Sequence, residues 1–407
     1  MSETYFRRGF GLKSEIEGQL AADYASSVVD AFRAHGNTLK VGGLTFRLAK
    51  EFGFCYGVDR AVDYAYETRA KFPDRRIFLV GEIIHNPHVN HKLEAMGIRF
   101  LQHDPGRPFD FSEITAEDVV ILPAFGVTVG DFKRLRELGC VLVDTTCGSV
   151  LNVWKRVESY AKDGFTAVIH GKYYHEETKA TASQVEKYPG GKFLVLRDLA
   201  EARPVLDVIE GRGDLAAVRE RFAHVSSPGF DFGRDLERIG IANQTTMLAG
   251  ESLALAAEFR KSFAARLGEE EAGQRFRSFD TLCSATQERQ DAVLGLLEEG
   301  VDLMMVVGGY NSSNTCHLAA LALSKGVVTY HIEDALGIDV ESGGLRHQVA
   351  GQKVETAVAP GWLLSSGVIG LTAGASTPNN KVGETVVRLC QVAGLGEELE
   401  KALNSQE

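Results

Sequence analysis

The sequence lacks any run of about eighteen apolar residues, the length that a helix needs to cross a lipid bilayer. Its N-terminus, MSETYFRRGFGLKSEIEGQL, has no apolar segment and contains acidic residues, so it is typical of neither a secretory signal nor an organelle-targeting peptide. Six cysteines in 407 residues are too few for a disulfide scaffold. We therefore expect a cytoplasmic protein whose cysteines are thiols, some of them ligands or catalysts.

A concentration of positive charge is also missing. The formal net charge is −11 and no block of lysine and arginine residues stands out, which argues against a nucleic-acid partner. No glycine-rich loop followed by lysine of the Walker type occurs, so nothing favours a nucleoside triphosphate. Because the overall charge is negative, a site for an anionic substrate has to supply its hydrogen-bond donors locally.

What the sequence contains is a repeated unit. Nine times, an apolar run of strand length leads through a short polar or glycine-containing loop into an amphipathic helix. The nine units fall into three sets of three, which begin with LTFRLAKEFGFC, CVLVDTTC and RFRSFDTLC. This pattern predicts an α/β protein of three small domains with parallel strands. If the domains face one another, all nine loops can reach one central cavity.

The repeat also predicts how the chain is divided. We expect an N-terminal extension over residues 1–45, a first α/β domain over 46–147 whose first strand could join the third domain, a second domain over 148–279, a third over 280–380, and a C-terminal helix and tail over 381–407. The extension contains one predicted helix, within GQLAADYASSVVDAFRAHG, and we expect it to be dispensable for chemistry. Residues from about 200 to 238 are charged and predicted to be a loop-rich insertion.

Three of the nine strands end at a cysteine: Cys55, Cys147 and Cys283. A lone cysteine in this position is most often a small buried residue, but packing does not explain why three repeated domains each carry one. A helix N-terminus stabilises the thiolate, which is the form that binds metals. Their wide separation excludes a short CxxC motif and favours a cluster assembled between domains, with one metal position left open for reaction. We expect a structural role for the remaining three, Cys140, Cys316 and Cys390.

Other loops of the repeat carry neutral hydrogen-bond donors. A loop histidine is about as often merely solvated, and serine or asparagine ahead of a helix is often only an N-cap. A run of hydroxyls, amides and backbone N–H groups at a helix start nevertheless suits a phosphate. These loop residues are His85 and Asn86; His175, Glu176 and Glu177; Gln244, Thr245 and Thr246; Asn311, Ser312, Ser313 and Asn314; and Ser376.

The motifs GFCYGVDRAV, EIIHNP, DTTC, HGKYYHEET, NQTT, CSATQERQDA, NSSN and TAGASTP occur in this order. Together they resemble the LytB/IspH family of 4-hydroxy-3-methylbut-2-enyl diphosphate reductases, over residues 46–380. The long N-terminal extension and the insertion in the second domain are similar to the subgroup found in plants and cyanobacteria.

The resemblance implies a trefoil of three α/β domains around a central 4Fe–4S cluster that has three cysteine ligands, Cys55, Cys147 and Cys283, and one open iron. It implies reductive dehydroxylation of (E)-4-hydroxy-3-methylbut-2-enyl diphosphate to isopentenyl and dimethylallyl diphosphates, the last step of the non-mevalonate isoprenoid pathway. An electron-donor protein, ferredoxin or flavodoxin, is implied as a partner. Glu177 corresponds to the family's proton donor, with Thr245 near the substrate hydroxyl. By the same resemblance the substrate is bound by His85, His175, Thr245, Ser312, Ser313, Asn314 and Ser376.

Three positions depart from the family's pattern. Phe125 stands where many members use a histidine for the diphosphate, although the plant-like subgroup shares this phenylalanine. Glu176 replaces the proline of an HPE motif, and Gly148 replaces the proline that usually follows the second cysteine. Two other classes of function stay open: a dehydratase that uses an open-iron cluster without net reduction, and a redox or iron sensor without catalysis.

Overall fold

A computed structural model of the chain describes residues 4–102, 107–279, 282–350, 352, 354–363 and 367–404. Its strands are β1 (Tyr5–Phe6), β2 (Thr38–Val41), β3 (Leu44–Leu48), β4 (Ile77–Val80), β5 (Ile98–Leu101), β6 (Val119–Leu122), β7 (Val141–Asp144), β8 (Thr166–His170), β9 (Phe193–Leu196), β10 (Ile239–Asn243), β11 (Phe276–Ser278), β12 (Leu303–Val307), β13 (Val328–Ile332), β14 (Leu345–Gln348), β15 (Glu355–Val358) and β16 (Gly367–Ala373). Its helices are α1 (Lys13–Tyr24), α2 (Ser27–Ala34), α3 (Tyr56–Lys71), α4 (Pro87–Ala95), α5 (Val129–Glu137), α6 (Gly148–Lys162), α7 (Glu176–Ser183), α8 (Leu199–Ile209), α9 (Leu215–Phe222), α10 (Ala249–Leu267), α11 (Glu269–Arg275), α12 (Ser284–Glu298), α13 (Ser313–Ser324), α14 (Asn379–Val392) and α15 (Gly396–Asn404).

All nine predicted strand–loop–helix units are present. They are β3–α3, β4–α4, β6–α5, β7–α6, β8–α7, β10–α10, β11–α12, β12–α13 and β16–α14. Strands β4, β6, β7, β8, β10 and β12 bury every residue, as expected of parallel strands that are covered on both faces. The α/β class is thus confirmed. The apolar runs in the sequence are continuous because both faces of these strands are buried.

The strands form three sheets. In the first, in the order β1-β7-β6-β4-β5, all neighbours are parallel. The second, in the order β11-β10-β8-β9, is also parallel throughout. The third has the order β15-β14-β13-β12-β16-β3-β2 and is parallel from β13 to β3, with antiparallel strands at both edges. The predicted site loops follow the carboxyl ends of these parallel strands, where α/β proteins usually bind ligands.

The described residues form two compact units. The first unit lies within Met1–Arg8, Asp74–Ile83 and Ile98–Cys283, and the second within Gly9–Pro73, Ile84–Gly97 and Ser284–Glu407. The first unit therefore contains the first and second sheets, and the second unit contains the third sheet. The division into an extension, three domains and a tail remains a prediction, as does the trefoil.

The N-terminal extension forms two helices, not the single helix that we predicted. Ala25 is extended between them, and the Ser26 hydroxyl caps α2 by accepting a hydrogen bond from Val29 N at 3.4 Å. Val29 and Phe32 of α2 are buried in the core of the third sheet. The two helices of the extension are therefore an integral part of the second unit, whereas β1 belongs to the first.

The predicted loop-rich insertion is also largely helical, because α8 and α9 occupy much of residues 200–238. Its apolar side chains, among them Leu206, Phe222 and Phe232, are buried in the core of the second sheet. The charged residues that suggested loops lie on the outer face of these helices, where they cover the apolar side. Within the described part of the chain, no helix combines the length and the apolarity required to cross a membrane.

Candidate functional site

Two of the three predicted ligand cysteines lie close together in the first unit. Cys147 is the N-cap residue of α6, and Cys283 directly precedes α12. The Ser149 hydroxyl donates a hydrogen bond to Cys283 Sγ at 3.3 Å. Burial raises the pKa of the Cys147 thiol and the neighbouring Cys283 adds to the rise, whereas the N–H groups of Ser149 and Val150 oppose it. A thiol in this setting loses its proton readily when a metal ion binds.

The loop that carries Cys147 is held by a buried carboxylate. Asp144 is only 6% exposed; its Oδ1 accepts hydrogen bonds from Thr146 N at 3.0 Å and Thr146 Oγ1 at 2.5 Å. Its Oδ2 accepts a hydrogen bond from the Tyr5 hydroxyl at 2.6 Å, and Arg7 Nε lies 3.7 Å from the same oxygen. The extension thus reaches the cysteine loop through β1, the strand beside β7.

Glu177 and Thr245 form a buried pair in the first unit. His175 is the N-cap residue of α7, and its Nδ1 accepts a hydrogen bond from Glu177 N at 3.2 Å. Glu177 is 3% exposed and Thr245 is 5% exposed. The two Glu177 oxygens accept hydrogen bonds from Thr245 N at 2.6 Å and from Thr245 Oγ1 at 2.9 Å. The carboxylate therefore lies directly beside the threonine hydroxyl, whereas Glu176 is only half-buried.

Gln244 fixes the two loops on which this pair lies. Its Oε1 accepts hydrogen bonds from Lys172 N and Thr178 Oγ1, both at 3.1 Å, and its Nε2 donates to Thr246 Oγ1 at 2.8 Å. A Cβ at Gly171 would lie 2.9 Å from Thr178 Oγ1 and 3.0 Å from Gln244 Cβ, so the close approach requires glycine there. The loops that follow β8 and β10 are consequently fixed in position relative to each other.

Phe125, which replaces the family's histidine, packs beside another predicted site residue. Its ring lies edge-on to the His175 ring, with centroids 6.1 Å apart and an angle of 80° between the planes. An edge-on aromatic contact restricts both rings without adding charge. The hydrogen-bonding histidine is thus replaced by an apolar neighbour of His175.

In the second unit, Cys55 is the N-cap residue of α3, and its N–H donates to Ala375 O at 3.2 Å. The preceding loop is held by Arg289, which is 3% exposed. The Arg289 guanidinium donates to Gly53 O at 2.7 Å and 3.1 Å and to Phe54 O at 3.1 Å. These bonds connect helix α12 to the loop that precedes Cys55, and they place a positive charge near that cysteine.

The NSSN and TAGASTP loops meet in the same unit. Ser312 caps α13, because its Oγ accepts hydrogen bonds from Thr315 N at 3.4 Å and from Thr315 Oγ1 at 2.9 Å. Asn314 Oδ1 accepts a hydrogen bond from Ala375 N at 2.9 Å. The Nδ2 of the same Asn314 is buried and has no acceptor among the described residues. A buried amide donor of this kind is costly unless a ligand or water accepts from it.

The loop of His85 contacts the glycine pair ahead of NSSN. A Cβ at Gly309 would lie 2.5 Å from His85 O, so only glycine permits this approach. Asn86 caps α4 through a hydrogen bond from Val89 N to its Oδ1 at 3.2 Å. The second unit therefore brings the loops of His85, Asn314 and Cys55 together.

The other three cysteines have surroundings that suit a structural role. Burial raises the pKa of Cys140 to about 11 and the pKa of Cys390 to about 12. Cys316 Sγ donates to Tyr310 O at 3.3 Å. None of these three precedes a helix that begins after a strand.

The predicted site residues divide between the two units. The first unit holds Cys147, His175, Glu177, Thr245 and Cys283. The second holds Cys55, His85, Ser312, Ser313, Asn314 and Ser376. That all of them serve one site remains a prediction.

Four residues beside these groups were not found from the sequence. Tyr5 gives no signal in the sequence, and Asp144 lies in the DTTC motif but its contact with Tyr5 joins distant segments. Arg289 lies in the CSATQERQDA motif, where a buried arginine could have been suspected from its place on the apolar side of a helix. Ser149 lies next to Gly148, the departure that we had noted.

The LytB protein family model matches residues 46–390. A relative from Gloeobacter violaceus, named 4-hydroxy-3-methylbut-2-enyl diphosphate reductase, is 48% identical over 400 residues, which cover 97% of this chain and 94% of the relative. A relative of the same name from Thermosynechococcus vestitus is 47% identical over 389 residues, covering 95% and 94%.

Two solved structures are also similar. A structure of (E)-4-hydroxy-3-methyl-but-2-enyl diphosphate reductase, described as the terminal enzyme of the non-mevalonate pathway, has a TM-score of 0.52 and 27% identity, and the match covers 84% of this chain and 98% of that one. The E-1-hydroxy-2-methyl-but-2-enyl-4-diphosphate reductase of Plasmodium falciparum shares the fold, with a TM-score of 0.62, 20% identity and coverage of 85% and 87%. Since the family model spans most of the chain and the cyanobacterial relatives align along nearly all of it, the chain belongs to the LytB protein family.

Proposed function

We propose that the chain catalyses the reductive dehydroxylation of (E)-4-hydroxy-3-methylbut-2-enyl diphosphate to isopentenyl and dimethylallyl diphosphates, the last step of the non-mevalonate isoprenoid pathway. Membership of the family and the shared name of its relatives support this function. The observation that carries it is the buried pair of Glu177 and Thr245, because removal of a hydroxyl as water needs a proton donor beside a second hydrogen-bonding group.

The cofactor in this proposal is one 4Fe–4S cluster with three cysteine ligands, Cys55, Cys147 and Cys283, and one open iron. Each of these cysteines directly precedes a helix, where the N-terminal N–H groups stabilise a thiolate. The raised pKa of Cys147 also fits, since a bound metal compensates the negative charge that burial disfavours. When bound, the cluster supplies electrons and a Lewis-acidic iron.

The substrate's diphosphate is bound by neutral donors. Asn314 Nδ2 is a buried donor that has no acceptor among the described residues, and Ser312 keeps its hydroxyl proton for donation while its oxygen caps α13. Hydrogen bonds from neutral groups to a charged ligand are strong in a buried site. The remaining donors in this proposal are His85, His175, Ser313 and Ser376.

Glu177 holds and delivers a proton in this mechanism. Its carboxylate is fixed by the Thr245 N–H and by the Thr245 hydroxyl, so Thr245 can pass a proton between Glu177 and the substrate hydroxyl. The overall reaction consumes two electrons and two protons: one proton leaves with the hydroxyl as water, and the other ends on carbon. Burial of both side chains excludes bulk water from this step.

The electrons come, in this proposal, from a ferredoxin or flavodoxin, as the resemblance implies. Six cysteines in 407 residues are too few for a disulfide scaffold, which fits a reducing compartment. We accordingly propose that the enzyme works in the cytoplasm.

The test is a turnover assay under anaerobic conditions. Protein purified without oxygen is incubated with the hydroxylated diphosphate and an artificial one-electron reductant, and both product isomers are quantified by mass spectrometry. We expect both isomers only when the reductant is present. Conversion without a reductant would make the protein a dehydratase, and an iron-loaded protein that neither binds nor converts the diphosphate would be a sensor.

A further inference from the structure

Ser149 links the two predicted ligand cysteines of the first unit. It is the second residue of α6, and its Oγ donates a hydrogen bond to Cys283 Sγ at 3.3 Å. Ser149 also lies two residues after Cys147, at the start of the helix for which Cys147 is the N-cap residue. Cys147 and Cys283 are far apart in the sequence, so Ser149 is a contact that joins two segments of the first unit.

The local backbone leaves room for this contact. Gly148, which precedes Ser149, has open space where a Cβ would lie, and unlike proline it restricts the first turn of α6 little. The helix nevertheless begins there, with Cys147 as its N-cap residue in an extended conformation. In this geometry the serine side chain lies at the helix start together with the free N–H groups of the first turn.

A hydroxyl that donates to a ligand sulfur withdraws negative charge from it. Each electron that the donor protein delivers to an iron–sulfur cluster adds one negative charge, which is shared with the cysteine sulfurs. Hydrogen bonds to these sulfurs therefore stabilise the reduced form more than the oxidised form and raise the reduction potential. Here the Ser149 hydroxyl donates to Cys283 Sγ, the sulfur of one of the three predicted ligands.

We propose that Ser149 is a positioning residue that holds Cys147 and Cys283 at their proper separation and raises the reduction potential of the cluster bound to them. The inference rests on the proposed function, since it presupposes the cluster. It assigns a role to a side chain that neither touches the substrate nor ligates iron.

The test measures the midpoint potential of the cluster by an anaerobic redox titration followed by electron paramagnetic resonance. In Ser149→Ala we expect the ratio of reduced to oxidised cluster at a fixed applied potential to fall about threefold to tenfold, where tenfold equals about 59 mV for one electron. Ser149→Thr keeps the hydroxyl and should restore the native value. Ser159→Ala, an exposed serine on the same helix, is the matched control and should change nothing.

The other possible results, loss of the cluster or an unchanged potential, also support or contradict the role of Ser149. If Ser149→Ala loses the cluster and Ser149→Thr retains it, the proposed role of the hydroxyl is also supported. Loss of the cluster in both variants would contradict that role. A native potential in Ser149→Ala with full iron content would overturn the inference alone, because the enzyme would still reduce its diphosphate. Absence of a cluster from the unmodified chain would overturn the proposed function and this inference with it.

Discussion

At the scale of single residues, the neighbouring glutamates of α7 have different surroundings. Glu177 accepts two hydrogen bonds from Thr245 and is nearly inaccessible, whereas Glu176 is half-buried at the first position of the helix. Successive residues of a helix point in directions about 100° apart. Only one of the two can therefore face Thr245.

Replacing the glutamates separately distinguishes their roles. We expect Glu177→Gln to lower the turnover rate on the order of 100-fold or more, because an amide cannot deliver the proton. Glu176→Gln is the matched control and should retain most of the rate. Steady-state assays with an artificial reductant measure both variants, and a slower Glu176→Gln would shift the assignment by one residue.

The buried donor of Asn314 gives a second prediction. Asn314→Ala should weaken binding of the diphosphate substrate roughly 10- to 100-fold, since a hydrogen bond to a charged group is worth about 1.5–3 kcal/mol. Asn311→Ala, at an exposed position of the same loop, should bind normally. Titration of the substrate into anaerobic protein at several ionic strengths measures the affinity.

The same titration tests whether neutral hydrogen-bond donors, and not cations, provide most of the binding free energy of the diphosphate. We expect only a mild dependence on salt, because hydrogen bonds inside a closed cavity are poorly screened. A steep dependence, with a larger loss from Lys172→Ala than from Asn314→Ala, would mean that a cation binds the diphosphate.

These residues also show what a sequence can reveal at this scale. The cysteines and the polar loops were predictable, because each follows an apolar strand and precedes a helix. Asp144 and Arg289 were not, since each acts through a side-chain contact with a segment far away in the sequence. Such contacts leave no periodic pattern, and only the folded chain shows them.

At the scale of secondary-structure elements, the short strand β1 makes a specific side-chain contact with the end of β7. It adds a parallel strand to β7, and burial together with the bond to Asp144 raises the pKa of Tyr5. The tyrosine therefore stays protonated and donates its hydroxyl proton throughout the neutral pH range. Through this bond the first residues of the chain support the turn that ends at Cys147.

Removing the Tyr5 hydroxyl should lower the stability of the first unit. Tyr5→Phe keeps the ring and its packing on Phe132 but leaves one oxygen of the buried Asp144 without its donor. We expect a loss of about 1–3 kcal/mol in the free energy of unfolding, and a lower iron content after anaerobic loading. Tyr173→Phe, which is 46% exposed, is the control and should leave both unchanged.

The helices α1 and α2 change what we expect of a shortened chain. Starting the protein at Val41 removes Val29 and Phe32 from the core of the third sheet, and losing two such side chains costs several kcal/mol. We expect a clearly lower unfolding temperature in a thermal scan. Dispensability of the extension for chemistry stays a prediction, and a folded, iron-loaded but inactive truncation would contradict it.

Elements differ in how far the sequence predicts them. Six of the nine strands of the repeat were predictable because they bury every residue and therefore have continuous apolar sequences. The helices between residues 199 and 222 were not, because charged side chains cover their outer face and a proline, Pro204, lies inside α8. The break between α1 and α2 depends on a single serine cap.

At the scale of the whole molecule, the predicted ligand cysteines lie far apart along the chain, so the iron content of the protein would depend on most of the fold. We expect Cys→Ser replacement at Cys55, Cys147 or Cys283 to abolish iron binding under anaerobic conditions. Replacement of the buried Cys140 or Cys390 should lower stability only.

Iron and sulfide analysis of the purified variants decides between these ligands. Full loss of iron from Cys140→Ser or Cys390→Ser, with Cys147→Ser unaffected, would refute the assignment. Three parallel sheets could be predicted from the three sets of units, but their membership could not. The first strand of each set, β3, β7 or β11, lies in a sheet with strands of another set. The trefoil remains a prediction, because no local pattern encodes how separate sheets are placed.

The pairing of β3 with β16 has a consequence for protein synthesis. β3 ends at Leu48 and its neighbour in the sheet begins only at Gly367, so a ribosome that adds about 5–20 residues per second needs on the order of tens of seconds to complete the pair. Throughout that time Cys55, which follows β3, has a nascent chain around it instead of the Ala375 loop. Newly made protein therefore passes through a period in which a predicted ligand thiol is accessible to oxidants, and in cells that produce oxygen that thiol depends on a reducing environment until the chain is complete.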